Sequence, residues 1–161
     1  MWKKKYARLA LIAVPVALLD QLTKAMVQRL VPLHHSVTVI PGYFEVTHLH
    51  NTGGAFGLFA GESGLLRTGL FVVLSCIALW VVFLFYRKTT PSHPWFAAGL
   101  SLVCGGALGN LLDRLLYGKV IDFLHFHAGP FHWPTFNVAD SAVTTGVAIL
   151  MLQFLLKKAP V

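Results

Sequence analysis

The stretch whose reading decides the fold is Gly105-Gly106-Ala107-Leu108-Gly109-Asn110-Leu111-Leu112-Asp113-Arg114-Leu115-Leu116-Tyr117-Gly118-Lys119-Val120-Ile121-Asp122-Phe123. It opens as an apolar helix carrying small residues and ends in a dense polar cluster. Asn110, Asp113 and Arg114 stand at i, i+3 and i+4, so a helix presents all three on one face. Gly118 breaks that helix, and Asp122 follows one short turn later. Asn137 and Asp140 lie just downstream, at the start of another apolar run. The rest of the chain reads as a scaffold that holds Asp122 and Asp140 near each other at a membrane surface.

Composition sets the solvent. Of 161 residues, 56% are hydrophobic and only 12% charged, where a soluble domain is about one quarter charged. The chain therefore reads as a membrane protein of one domain, 1–161, with four transmembrane helices and a small extracytoplasmic β-sheet. The formal charge of +7 does not point to nucleic acid, because the basic residues cluster at the ends of apolar runs. Cys76 and Cys104 fall inside apolar spans and suggest neither a disulfide framework nor a metal site.

The expected spans are about 7–27, 66–86, 95–112 and 138–156, with a β-like segment over about 37–61. The first follows Lys3, Lys4, Lys5 and Arg8 like the start of a secretory signal peptide, yet lacks a small-residue cleavage site and reads as a retained helix. Pro15 is a candidate kink. Pro41-Gly42 is a turn between two β-like runs. Gly105 and Gly109 form a G-x-x-x-G face for close helix packing. The segment 113–136 reads as a polar, aromatic loop.

Charge agrees with this count. The N-terminus, the 87–94 connector and the C-terminus carry Lys3, Lys4, Lys5, Arg8, Arg87, Lys88, Lys157 and Lys158 and no acid. Four spans put all three on one side, which the positive-inside rule makes cytoplasmic. Asp20, the Asn110–Asp113–Arg114 face, Asn137 and Asp140 then share one level near the outer surface.

For Asp20 with Lys24, and for Asp113 with Arg114, structural pairing is the simpler reading. Asp122 and Asp140 differ, because few cations remain to neutralise both. Two carboxylates in a low-dielectric site repel, so one holds a proton near neutral pH, and the pair titrates as a unit. That is how aspartic proteases divide acid and base work. Neighbouring Asn side chains and helix N-termini can steady the developing charge. His125, His127 and His132 alternate near one another, but His34, His35, His48 and His50 are scattered in the same manner, so interfacial histidines are expected and no metal. A proton relay through the four Asp is the rival reading; against it, the acids gather at one surface and no inverted repeat is present. A non-enzymatic assembly factor would leave the carboxylates without a purpose.

Four motifs carry a family resemblance over essentially the whole chain: Asp20-Gln21-Leu22-Thr23-Lys24; His50-Asn51-Thr52-Gly53-Gly54-Ala55-Phe56-Gly57; Gly109 to Arg114 followed by Gly118 to Phe123; and Phe136-Asn137-Val138-Ala139-Asp140-Ser141. In this order they resemble the bacterial lipoprotein signal peptidases (signal peptidase II). The resemblance implies a membrane aspartyl endopeptidase that removes the signal peptide of prolipoproteins, cutting before the diacylglyceryl-modified cysteine. It implies Asp122 and Asp140 as the catalytic dyad. Asp20, Asn51, Gly53, Asn110, Arg114 and Asn137 would be supporting residues, and Lys24 and Asp113 structural ones. It implies no cofactor, a multi-pass position in the bacterial inner membrane with both termini cytoplasmic, membrane lipid around a monomer, and inhibition by cyclic peptides such as globomycin. Gly54 stands where the family commonly has Ala, and His125 where an acid is often found. A clamp on the lipid-bearing peptide is expected from 43–61 and an amphipathic piece near 62–68, with the Gly53-Gly54 loop moving as a flap.

Overall fold

The computed structural model describes residues 2–53 and 64–159. Gly54 and most of the expected flap, together with the start of the 62–68 piece, lie outside these residues. In chain order the elements are α1 (Trp2–Leu30), β1 (Ser36–Ile40), β2 (Phe44–Asn51), α2 (Gly64–Lys88), α3 (Pro94–Tyr117), β3 (Val120–Ala128), β4 (Phe131–His132) and α4 (Val138–Leu155). All four helices are long and apolar enough to cross a membrane, since about 20 residues span the hydrocarbon layer.

Burial runs opposite to that of a soluble protein. Leu11, Leu22, Trp80, Met151 and Leu155 are exposed, while Asp20, Lys24, Asp113 and Asn137 are buried. Apolar side chains gain nothing from leaving lipid, so the polar groups and small residues are what bring the helices together. α3 is the central helix and packs on α1, α2 and α4, whereas α2 meets α1 through side chains near its C-terminal end, where the Tyr86 hydroxyl donates to the Lys5 carbonyl at 2.9 Å and the Tyr6 ring lies beside Phe83 and Tyr86. Glycines set the close approaches. A Cβ at Gly105 would meet the Ala13 carbonyl oxygen of α1 at 2.7 Å, and one at Gly106 would collide with the Ala139 carbonyl of α4. At Gly109 the missing side chain makes room for the Asp20 carboxylate, whose Oδ2 would lie 2.6 Å from a Cβ. The G-x-x-x-G pair thus serves α1, and the neighbouring Gly106 serves α4.

The sheet caps one end of the bundle in the antiparallel order β1-β2-β3-β4. Pro41 and Gly42 (φ 79°) make the β1–β2 turn, closed by the Tyr43 N–H on the Ile40 carbonyl at 3.0 Å. Proline at the second position and a positive φ at the third are the type II pattern. Val27, Val31 and Phe123 form the small core beneath the sheet. A second core, Val82, Tyr86, Phe96 and Leu100, lies around the start of α3.

The segment after α3 departs from the expected loop. α3 runs to Tyr117, ends on the left-handed Gly118 (φ 70°), and β3 begins at Val120. β3 pairs along β2, setting Leu49 opposite Asp122 and Asn51 opposite Val120. Alternation in Val120-Ile121-Asp122-Phe123 is hidden because all four positions are buried, so the strand lacks the period-two signature.

Candidate active site

The approach to α4 is tied to β3 by its own backbone. The Phe136 carbonyl accepts from the Phe123 and Leu124 N–H groups at 3.0 and 2.8 Å, and the Phe136 N–H donates to Leu124 at 3.1 Å. This pairing sets Asn137 beside Asp122. Asn137 is the N-cap of α4 in a reciprocal capping box: its side chain accepts from the Asp140 N–H at 2.9 Å, and Asp140 Oδ2 accepts from the Asn137 N–H at 3.2 Å. Asn137 Nδ2 donates to Asp122 Oδ1 at 2.8 Å. One buried residue therefore binds both carboxylates, Asp122 through its side-chain amide and Asp140 through its backbone N–H.

Two further amides complete the setting. Asn51 Nδ2 donates to Asp122 Oδ2 at 2.9 Å, and Asn110 Nδ2 donates to Asp140 Oδ1 at 2.7 Å. Asn110 Oδ1 accepts from Lys24 Nζ at 3.0 Å and from Asn137 Nδ2 at 3.2 Å. An ammonium has only donors, so it fixes which end of the Asn110 amide is oxygen. The nitrogen end must then face Asp140.

Beneath lies the ionic centre. Lys24 Nζ is 2.7 Å from Asp20 Oδ2 and 2.8 Å from Asp113 Oδ2. Asp20 Oδ1 also accepts from the Ala139 N–H at 2.9 Å, and Asp113 Oδ2 from the Ile121 N–H at 3.1 Å. The two acids thereby tie α1 to α4 and α3 to β3. Asp113 pairs with Lys24, not with Arg114 as the simple reading had it. The reason is geometric: one cation on α1 reaches two acids on two helices, while Arg114 leans the other way. The Arg114 guanidinium donates to the Asn110 carbonyl at 3.1 Å and lies over the Phe71 ring at 5.4 Å. The sequence reading gives Gln21 no role, yet its amide reaches Asp113 Oδ1 at 2.7 Å and the Gly109 carbonyl at 3.2 Å. A polar residue between Asp20 and the apolar Leu22 was the available signal. Gly53 (φ 90°) turns the chain after Asn51, its N–H donating to Asn51 Oδ1 at 2.8 Å. That bond orients the Asn51 amide so that its nitrogen faces Asp122.

The carboxylates differ in environment. Asp122 is 3% exposed. Burial, opposed by the Asn51 amide and reinforced by the nearby Asp140 charge, pushes its carboxyl up to about 6. Asp140 is half-buried at the third position of α4, where the positive helix end favours negative charge. The histidines stand apart. His125 faces Glu45 at 3.4 Å, and the His125, His127 and His132 rings stack at 5.3–5.4 Å. Among the described residues no group of three or more His, Cys, Asp or Glu is placed to hold a metal ion.

Residues 12–156 match the family described as signal peptidase (SPase) II. The chain belongs to the signal peptidase II family. It is 43% identical to the lipoprotein signal peptidase of Desulforapulum autotrophicum over 95% of this chain and 94% of the relative. It is also 43% identical to that of Geobacter sulfurreducens, over 88% and 89%. A bacterial membrane enzyme solved by the in meso method at 1.9 Å superposes with a TM-score of 0.83 and 32% identity, covering 92% of this chain and 93% of that one. The expected fold class, four membrane helices with a small sheet, is thus the observed one. By family the chain is a protease of the signal peptidase II type, and its helices make it a membrane protein.

Proposed function

We propose that this signal peptidase II is an aspartyl endopeptidase that cleaves prolipoproteins immediately before the diacylglyceryl-modified cysteine, with Asp122 and Asp140 as its dyad. The observation that carries the reading is the sharing of Asn137 by two carboxylates of unlike environment. Asp122, buried and raised toward neutrality, holds the proton. Asp140, at a helix N-terminus and hydrogen-bonded by Asn110, is the base. Asp140 takes a proton from a water as its oxygen attacks the scissile carbonyl, and Asp122 gives its proton to the carbonyl oxygen. On collapse, Asp140 passes its proton to the leaving amine and Asp122 recovers one from the diol. The signal peptide leaves as a carboxylic acid, which gives its proton to solvent, and the cysteine with a free amine, and the dyad returns to its starting state.

Asp20, Asn51, Gly53, Asn110, Arg114 and Asn137 support the dyad, and Lys24 and Asp113 hold its base. The substrate's signal helix and acyl chains lie in the membrane, which suits a site at its outer surface with both termini cytoplasmic. The enzyme works as a monomer in the inner membrane, and cyclic peptides of the globomycin type compete for the same cleft. The deciding experiment is cleavage of a diacylglyceryl-modified prolipoprotein by wild type, Asp122→Asn and Asp140→Asn. Each substitution should lower kcat by at least ~10³ with the protein folded and substrate still bound, on the scale of losing a reacting group. Near wild-type turnover by either variant would sink the dyad.

A further inference from the structure

Some 24 Å along α1 from Lys24, at the end of the bundle away from the sheet, a groove of about 620 Å³ opens between the first turns of α1 and α3. Its walls are apolar: Leu11 and Ile12 on one side, Ala97 and Ala98 on the other. The small α3 residues leave the groove deep. Its mouth carries Lys5 and Arg8. Lys5 Nζ donates to the Arg87 and Thr89 carbonyls at 2.8 and 2.6 Å, which fixes the ammonium at the rim and leaves a third N–H. Arg8 is exposed and, among the described residues, has no hydrogen bond or ion pair. α3 begins at Pro94 beside them, and the positive end of its dipole adds to the same field.

We infer that this groove binds an anionic phospholipid, its phosphate on Arg8 and Lys5 and one acyl chain along Leu11, Ile12, Ala97 and Ala98. Charge complementarity selects this occupant. Among the described residues the acids Asp20, Glu45, Asp113, Asp122 and Asp140 lie elsewhere, while Lys3, Lys4, Lys5, Arg8, Arg87, Lys88, Lys157 and Lys158 flank the helix ends on this side in the sequence. An unneutralised cation pair above an apolar slot fits a ligand with one anionic head and one chain. Basic clusters at helix ends attract anionic lipid generally; the slot turns that attraction into a site. A guanidinium offers phosphate a paired set of donors.

The test is retention of lipid by the purified full-length protein, read by native mass spectrometry from micelles doped with phosphatidylglycerol or phosphatidylcholine. Wild type should retain phosphatidylglycerol over phosphatidylcholine. Arg8→Gln, at an exposed position, should lower that retention about tenfold, the scale of one charge-assisted contact. Ala98→Trp, which fills the slot, should do the same with both head-group cations intact. Lys157→Gln with Lys158→Gln, at the same end but outside the groove, should leave retention unchanged. The inference is overturned by equal retention of the two lipids, by undiminished retention in Arg8→Gln, or by an equal loss in the Lys157/Lys158 variant, which would mean surface charge alone. It also fails if inorganic phosphate raises the Tm as much as phosphatidylglycerol does, since the chain would then contribute nothing.

Discussion

At the scale of single residues, three asparagines do what cations do in many carboxylate sites, but without neutralising the charge. Asn51, Asn110 and Asn137 each donate to a carboxylate oxygen of Asp122 or Asp140, and each amide is turned the right way by a neighbour. For Asn51 that neighbour is the Gly53 N–H, and for Asn110 it is Lys24. The donor on Asp122 favours its charged form and so opposes the rise caused by burial. Removing it with Asn51→Ala should push the Asp122 carboxyl further above about 6. In the proposed mechanism Asp122 must be protonated, so kcat/KM falls as pH rises through its value. The alkaline limb of Asn51→Ala should therefore lie at higher pH than that of wild type. A limb that stays put or moves down would remove Asn51 from Asp122's control. Lys24 works one layer below. Lys24→Met would leave Asp20 and Asp113 buried together with no counter-charge, and removing one partner of a buried pair costs about 3–5 kcal/mol. Thermal unfolding in detergent should show a large drop in Tm, with no recovery on adding substrate.

At the scale of elements, the site is a product of how α3, β3 and α4 follow one another. Gly118 ends α3 in the left-handed region, the Asp113 carboxylate grips the Ile121 N–H, and β3 is under way within one turn. The Phe136 backbone then pairs with Leu124, so α4 must start beside Asp122. This placement depends on the α3–α4 separation, which Gly106 sets. Gly106→Ala would drive a methyl into the Ala139 carbonyl and the Val143 side chain. Ala139 immediately precedes Asp140, and a backbone atom cannot rotate away. The expected cost is about 1–3 kcal/mol of overpacking, with a fall in kcat larger than any change in KM. Steady-state kinetics beside a melting curve separates the two. By contrast Gly42, with open space around it, belongs to the turn alone.

At the scale of the whole molecule, the arrangement is polar within and apolar without. The described helices present Leu, Val, Phe and Trp outward and bury a lysine and three aspartates. In lipid such groups are tolerated only when partnered, and Lys24, Asp20 and Asp113 partner one another, while amides partner Asp122. In the orientation we propose, the positive charge sets which side the helix ends face. With the cationic helix ends cytoplasmic, a membrane-impermeant maleimide applied to intact spheroplasts should label Gly42→Cys, at the exposed β1–β2 turn. It should not label Ser92→Cys, in the α2–α3 connector, until the membrane is permeabilised. Native Cys76 and Cys104 are replaced by Ser for this measurement. The reverse labelling pattern would invert the topology.

The sequence by itself determined the four helices, because runs of apolar residues with cationic ends leave few other solutions in a bilayer. It also marked the residues that now cluster, because an Asp in an apolar segment must be offset by something. What it could not determine is which groups offset which. Asp113 and Arg114 are neighbours in a helix, and only the packing of α1 on α3 brings Lys24 between Asp20 and Asp113. Nor could it show β3, whose first four residues are all buried and so lack the alternation that betrays a strand. The meeting of Asp122 and Asn137 was hidden too. Asp122 meets Asn137 because the two segments pair through their backbones, and hydrogen bonds between backbone groups leave no trace in side-chain pattern.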